Sequence, residues 1–296
     1  MWQKIFTISL VLIIALSFAA CDKEPSVEEV LDGIIAAAND ITSVSYDMDA
    51  ELEMFVSTGA EDAGHIDANM TLNGVMDIEN RQIHTDMDVS FSYTDVLSSS
   101  TEDSISMDMG MALYLLDETI YAMTDIPMMG VTWQKYSLSA EEIQQIEEML
   151  GGQSLMVNPQ MVLEMAEVTI EGSEKIDGVN CHRLKLEMDA EKLWQKIEEM
   201  AQDAGEAIPE EFDREILDKI VNSISMKMWV AEDTYYTTRM QMTIDIELNA
   251  EDFGDIQVME SVKINASYDI LLYDYNKPVT ITLPPEAEEA VEVPME

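Results

Sequence analysis

The fold is decided by the stretch VSYDMDAELEMFV, residues 44–56, in which apolar and polar side chains alternate. Successive side chains of a β-strand point to opposite faces, so this period of two predicts a strand with one apolar and one solvated face. The same alternation, or a shorter form of it, returns over residues 68–78, 83–93, 105–115, 119–124, 132–137, 168–176, 179–188, 224–230, 240–248 and 258–272. The sequence therefore predicts a broad antiparallel sheet of about ten strands.

Helical periodicity interrupts the strand pattern in several places. Capping boxes or other start signals stand at Ser26 with Glu29, Ser139 with Glu142, Asn158-Pro159, and Asp189, and a further helix is expected around Phe212 to Ile220. A sheet this broad must curl, and these helices are the apolar partners available to its concave side. We expect an α+β fold, a large half-barrel with helices packed on its concave face.

The N-terminus has the pattern of an export signal. Lys4 precedes an apolar stretch over residues 5–16, which is too short to span a membrane and leads to small residues before Cys21. The segment Phe18-Ala19-Ala20-Cys21 resembles the lipobox of bacterial lipoproteins, which implies cleavage before Cys21 and lipid on its thiol. An ordinary signal peptide with an incidental cysteine is the alternative.

These features divide the chain into three parts. We expect a signal peptide at residues 1–20, a lipid-anchored tether at 21–26 and a single domain over 27–296. The lipid on Cys21 would hold the protein outside the cytoplasm, on the outer face of the cytoplasmic membrane or on a periplasmic leaflet. With Cys21 lipidated, Cys181 is left without a disulfide partner, and the fold must rest on its apolar core.

The charge of the chain limits its partners. Sixty acidic residues against fifteen Lys and Arg give a formal net charge of −45 at pH 7. Such a surface repels nucleic acids and anionic head groups, so no nucleic-acid partner is expected. A salty habitat or an atmosphere of divalent cations explains the acidity, and nothing in the sequence names a protein partner.

The chain also resembles the LolA and LppX/LprG-type lipoprotein carriers. The likeness is carried by the lipobox, by the hairpin GSEKIDGVNCHRLKL at residues 172–186 and by the closing segment PVTITLPPEA at 278–287, and the order of elements agrees over nearly the whole chain. The resemblance implies a curled antiparallel sheet over helices that encloses an apolar pocket. It also implies non-catalytic binding of lipids or lipidated proteins, with transfer between membranes in some members.

Methionine is unusually frequent and clusters on the apolar side of the predicted strands. Three interpretations compete: packing in the core, a pliable wall for an acyl chain, and thioether ligation of Cu(I). These methionines alternate strictly with surface residues, as Ile and Leu do elsewhere in the predicted sheet. That pattern favours a lining over a metal site, so no metal is expected. The candidate ligand-cavity residues are Met48, Leu52, Met54, Met70, Leu72, Met87, Val89, Met107, Met109, Met111, Met226, Met228, Met240, Met242, Ile244 and Tyr268.

The sequence offers no catalytic signature. Cys181 and His182 are adjacent on a predicted strand, where neighbours point to opposite faces, so they are poorly placed as a nucleophile and its base. We therefore expect neither an enzyme nor a cofactor, but an anchored protein that binds, and in some settings transfers, a lipid or other hydrophobic ligand. The competing hypothesis is a structural or interaction lipoprotein whose sheet is fully plugged by its own helices.

Overall fold

The computed structural model describes residues 25–58, 62–95, 104–139, 142–143, 163, 165–204, 214–253 and 260–293. The predicted signal peptide, Cys21 and most of the tether lie outside the described residues. So do most of the helix expected after Pro159, of which Leu163 and Met165 are described, and Phe212 at the expected start of a later helix.

In the described parts of the chain, a helix is followed by a meander of six strands, a hairpin, two helices and a last set of strands. The helices whose bounds the structure describes are α1 (Val27–Ala38), α2 (Ala190–Ala204) and α3 (Arg214–Ser223). The strands are β1 (Ser43–Ser57), β2 (Asp62–Asp77), β3 (Gln82–Asp95), β4 (Ser104–Leu116), β5 (Thr119–Ile126), β6 (Gly130–Ser137), β7 (Ala166–Ile176), β8 (Val179–Met188), β9 (Ile224–Ala231), β10 (Thr237–Asn249), β11 (Ser261–Tyr273) and β12 (Val291–Glu292). Short 3-10 turns follow β10 and precede β12, at Ala250–Phe253 and Pro285–Glu289.

The strands form one large, curled and unclosed sheet. Its order is β12-β6-β5-β4-β3-β2-β1-β11-β10-β9-β8-β7, so it has twelve strands rather than about ten. The count was too low because β12 pairs with β6 through only Val291 and Glu292, a segment too short to show any alternation. That pairing is parallel, whereas the pairings between the other neighbouring strands are antiparallel.

The register of the sheet keeps the predicted alternation intact from strand to strand. Met48 of β1 lies opposite Ile270 of β11 on one side and opposite Leu72 of β2 on the other. A shift of one residue would have turned a whole strand to the opposite face. The apolar positions of β1–β4 and β8–β11 therefore share one face, called here the apolar face, and their polar neighbours share the other, the polar face.

Helix α1 covers one part of the apolar face. Its start is fixed by the predicted capping box, in which the Ser26 backbone N–H donates to Glu29 Oε2 at 2.7 Å and the Glu29 N–H donates to Ser26 Oγ at 3.2 Å. Its buried residues Val30 and Ile34 pack in one cluster with residues of β8, β9 and β10, including Met228. This cluster is a core of the fold.

The other predicted helix starts are found where the structure describes them. Ser139 and Glu142 form the second capping box, with the Ser139 N–H donating to Glu142 Oε2 at 2.7 Å. The carboxylate of Asp189 accepts a hydrogen bond from the Lys192 N–H in the first turn of α2. Helix α3 buries Leu217 and lies against β9 and β10. Within the described part of the chain, no helix has the length and apolar character needed to cross a membrane.

Candidate functional site

The register brings the whole predicted set of cavity residues onto the apolar face. Its members fall into rows that run across the strands. One row reads Met228, Met240, Ile270, Met48, Leu72, Met87 and Met111. The next reads Met226, Met242, Tyr268, Ala50, Met70, Val89 and Met109. A third row contains Ile244, Leu52 and Met107. A fourth row contains Met54.

One end of these rows belongs to the packed core. Met228 is 0% exposed, and Met226 and Met240 are also buried. All three pack in the cluster that α1 covers through Val30 and Ile34. These methionines fill the space between sheet and helix, so for them the core interpretation of the methionine pattern describes what the structure shows.

The other end of the rows is much less covered. On β1–β4, Met48, Leu52, Met54, Met70, Leu72, Met87, Val89, Met109 and Met111 are all half-buried. Farther along β4, Met107 is 44% exposed and Ile105 is 64% exposed. We call this half-buried part of the apolar side of β1–β4 the open face. Large apolar residues that remain half-exposed over several adjacent strands mark a surface suited to an apolar partner.

The open face includes residues that were not in the predicted set. Phe91 and Tyr93 of β3 lie in the same rows as Leu52 and Met54 and are half-buried. The alternation contained this signal, because Phe91 and Tyr93 are in phase with Met87 and Val89.

A polar contact limits the open face at the end of β1. The Tyr46 and Thr85 hydroxyls are hydrogen-bonded, and burial raises the pKa of Tyr46. A Cβ added at Gly74 would lie 2.7 Å from Tyr46 Cζ and 2.5 Å from the His84 carbonyl oxygen. Glycine is therefore required at position 74 for the Tyr46 ring to lie flat on β2. The paired hydroxyls of Tyr46 and Thr85 therefore form a fixed polar boundary at this edge of the open face.

The polar face is organised by ion pairs. Arg239 Nε donates to Asp269 Oδ1 at 2.8 Å, its second nitrogen donates to Asp269 Oδ2, and Gln241 Nε2 donates to Oδ2 at 2.8 Å. The hydrogen bond from Arg239 lowers the pKa of Asp269. The Arg239 guanidinium lies 5.2 Å from the centroid of the Trp229 ring, in a cation–π contact.

The groups that could support catalysis are held in structural contacts. Cys181 is buried and its sulfur lies 3.2 Å from Thr238 Oγ1, and burial raises the pKa of the thiol. His65 stacks on Phe55, and His84 stacks on Tyr114. Among the described residues, His, Cys, Asp and Glu form no group of three or more that could hold a metal ion. Cys181 and the neighbouring His182 extend to opposite faces of β8, as predicted.

The fold and this face define a class of protein: an α+β protein built on a curled, unclosed antiparallel sheet with one apolar side. The chain belongs to a family of unknown function, DUF6612, whose profile matches residues 26–292. A search of curated protein sequences finds no match.

Several solved structures are similar to this chain. The lipoprotein LppX of Mycobacterium tuberculosis matches with 11% identity over 88% of this chain and 100% of its own, at a TM-score of 0.35. LprF from Mycobacterium bovis matches with 14% identity over 88% and 99% of the two chains, also at 0.35. A LolA superfamily protein from Nitrosomonas europaea matches with 10% identity over 84% and 94%, at 0.20. These matches include the groups to which the sequence showed a resemblance.

Proposed function

We propose that this protein is an extracytoplasmic lipoprotein, anchored through Cys21, that binds a lipid or another hydrophobic ligand on the open face. The proposal rests on one observation. A single cross-strand row passes from Met228, which is fully buried under α1, to Met48, Met87 and Met111, which are half-buried on the open face.

The composition of the open face favours an acyl chain or a similar flexible apolar group. Methionine side chains are unbranched and polarizable, so they adapt their shape to different ligands. Apolar surface removed from water contributes roughly 25 cal/mol per Å² before ordering costs. Such a face gives affinity with little selectivity, and the ligand class is correspondingly broad.

Anchoring and location form the second part of the proposal. The lipobox-like segment ending at Cys21 supports removal of residues 1–20 and attachment of lipid to the cysteine. Two or more lipid chains hold a protein stably at a membrane, whereas one does so only reversibly. A protein held in this way samples ligands at the membrane surface.

The competing candidate is an anchored interaction module that binds no ligand. The contacts of Val30 and Ile34 favour it, because α1 already fills the apolar face over β8–β10 with the protein's own residues. In the ligand-binding candidate the open face binds a ligand. In the interaction module the open face is permanently covered.

A fluorescent apolar probe separates these candidates. The mature chain with Cys21→Ser is purified without detergent and titrated with N-dodecyl dansylamide, a neutral probe that the net negative charge does not repel. We expect saturable binding with a blue-shifted emission. Met109→Asp should weaken binding by about tenfold or more, because it places a carboxylate against the bound alkyl chain.

The matched control is the same substitution at Met128, which is fully exposed in the turn between β5 and β6. Met128→Asp should bind the probe like the parent protein, and the conservative Met109→Leu should retain binding. Circular dichroism and thermal unfolding establish that each variant is folded. Absence of saturable binding, or equal loss in the two aspartate variants, would refute the proposal.

A further inference from the structure

The polar face contains a cavity that is unlike its surroundings. It has a volume of about 350 Å³ and lies at the end of the sheet where the β7–β8 turn, the β9–β10 turn and the chain leaving β11 meet. Its lining includes Ile176, Leu271 and Tyr236. We call it the tyrosine pocket.

The floor of the tyrosine pocket is apolar, although it lies on the polar face. Ile176 packs with Cys181 and Trp229 in a small buried cluster, and Leu271 packs against that cluster. The strand positions paired with Leu271 on this face are polar: Asp47 on β1, and Arg239 on β10, whose guanidinium is bonded to Asp269. An apolar depression with a few polar groups at its edge is the usual form of a small-molecule site.

The walls are aromatic and held in place. The rings of Tyr236 and Tyr275 stack with centroids 4.5 Å apart and an interplanar angle of 13°. The Tyr275 hydroxyl donates to the Thr237 carbonyl oxygen at 2.5 Å, and Asn276 Nδ2 donates to the Tyr236 hydroxyl at 2.8 Å. Because each hydroxyl is already bonded, the two rings are held in a fixed orientation at the wall of the pocket.

The rim is negatively charged. Asp177, Asp233 and Asp274 line the pocket and come from three separate turns. Lys277 Nζ lies 2.6 Å from Asp274 Oδ1 and offsets one of these charges. Burial raises the pKa of the Tyr273 hydroxyl, and the charges of Asp47 and Asp274 raise it further, as expected for a negative potential at this site.

Acidic side chains alone do not distinguish the tyrosine pocket from the rest of the polar face. A larger cavity of about 450 Å³ on the polar face is lined by Asp88, Asp108 and Asp125. Its lining also includes the polar residues Asn69 and Thr71 and the apolar residues Val89, Met109 and Pro127, and none of its lining residues is aromatic. The tyrosine pocket differs because stacked aromatic rings stand beside its carboxylates.

We propose that the tyrosine pocket binds a small organic cation, an ammonium group carried on an apolar or aromatic body. The body would lie on Ile176 and Leu271, against the tyrosine rings, and the ammonium group would face Asp177 and Asp233. Aromatic faces attract cations, and the carboxylates add an attraction that an anionic or neutral analogue lacks. This site is separate from the open face and does not depend on lipid binding.

Three ligands with the same phenylethyl frame or its close equivalent test the proposal: phenethylamine, 2-phenylethanol and phenylacetate. Binding to the mature chain with Cys21→Ser is followed by calorimetry, with NMR shifts to locate the site. We expect phenethylamine to bind most tightly and to shift resonances of Tyr236 and Leu271. The double variant Asp177→Asn/Asp233→Asn should weaken its binding by about tenfold.

The control removes the same charge elsewhere on the polar face. Asp88→Asn/Asp125→Asn should leave phenethylamine binding within about twofold of the parent value. Asparagine suits position 177 because the backbone there has φ +45°, a conformation that asparagine tolerates. The proposal is overturned if phenethylamine does not bind, if the three ligands bind equally, or if the control pair weakens binding as much as the pocket pair.

Discussion

Met228 and Met111 show how two identical residues on one face have different roles. Both lie in the same cross-strand row, on β9 and β4 respectively. Met228 is enclosed by the cluster beneath α1, whereas Met111 is half-buried on the open face. A fully enclosed side chain makes packing contacts on all sides. A half-buried side chain contributes less to stability and forms part of the accessible apolar surface.

Truncation to alanine should separate these roles. Met228→Ala leaves a cavity in the core and should lower the free energy of unfolding by about 2 to 5 kcal/mol. Met111→Ala should cost less than about half as much, because water or neighbouring residues already reach that site. Urea unfolding monitored by circular dichroism measures both values. Equal losses would mean that the open face is packed like the core.

Asp269 is the polar-face residue with the clearest electrostatic role. Arg239 binds both of its carboxylate oxygens, and Gln241 adds a third hydrogen bond. Its pKa is lowered, so in the folded protein it stays ionised at a pH where the unfolded chain takes up a proton. The stabilisation is therefore present above the unfolded pKa of about 4 and is lost as the pH falls through the folded pKa.

Comparison of Asp269→Asn with the parent protein isolates this effect from the general relief of charge repulsion in acid. At pH 7 the variant should be less stable by about 1.5 to 3 kcal/mol, the range for hydrogen bonds to charged groups. The difference should shrink as the pH is lowered below about 4. Denaturant unfolding at a series of pH values measures it. A difference that stays constant down to pH 2 would show that the carboxylate charge is not responsible.

At the scale of elements, α1 closes the part of the apolar face that lies over β8–β10. Its Gly33 lies against the ring of Tyr235 in the β9–β10 turn, where an added Cβ would come within 2.5 Å of Cδ1. Tyr235 itself has a positive φ of 59°. The missing side chain at position 33 thus lets the helix approach this turn closely.

Gly33→Ala tests this contact. Alanine is intrinsically better than glycine in a helix by about 1 kcal/mol, so a surface position would gain stability. Here we expect a net loss of about 1 to 3 kcal/mol from overpacking against Tyr235. The second substitution Tyr235→Asn removes the ring and retains a residue that tolerates positive φ. Thermal unfolding should show that Gly33→Ala is harmless in that background; a loss of the same size there would disprove the role of the ring.

The strands could be predicted from the sequence because their side-chain period is independent of distant contacts. Residues 44–56 alternate, and every one of them falls within β1. The closed and open parts of the apolar face could not be distinguished, because coverage depends on where α1 packs. The tyrosine pocket was also missed, since Asp177, Asp233 and Asp274 are far apart along the chain and meet only through the strand order.

At the scale of the whole molecule, a net charge of −45 opposes approach to an anionic membrane surface. A covalent anchor on Cys21 would overcome that repulsion. Only five residues separate Cys21 from α1, and this short tether would keep the domain close to the bilayer. The acidity and the proposed anchor are therefore compatible. Together they favour a protein that remains at the membrane and collects apolar ligands there.

The most direct test of this account is mass spectrometry of organic extracts from the Cys21→Ser protein, produced in a membrane-containing host and purified without detergent. The account predicts a co-purifying lipid in stoichiometric amount that is lost in Met109→Asp and retained in Met128→Asp, with both variants folded. Repeated absence of lipid from folded parent protein, together with no uptake of the dansyl probe, would contradict it and leave an anchored interaction module.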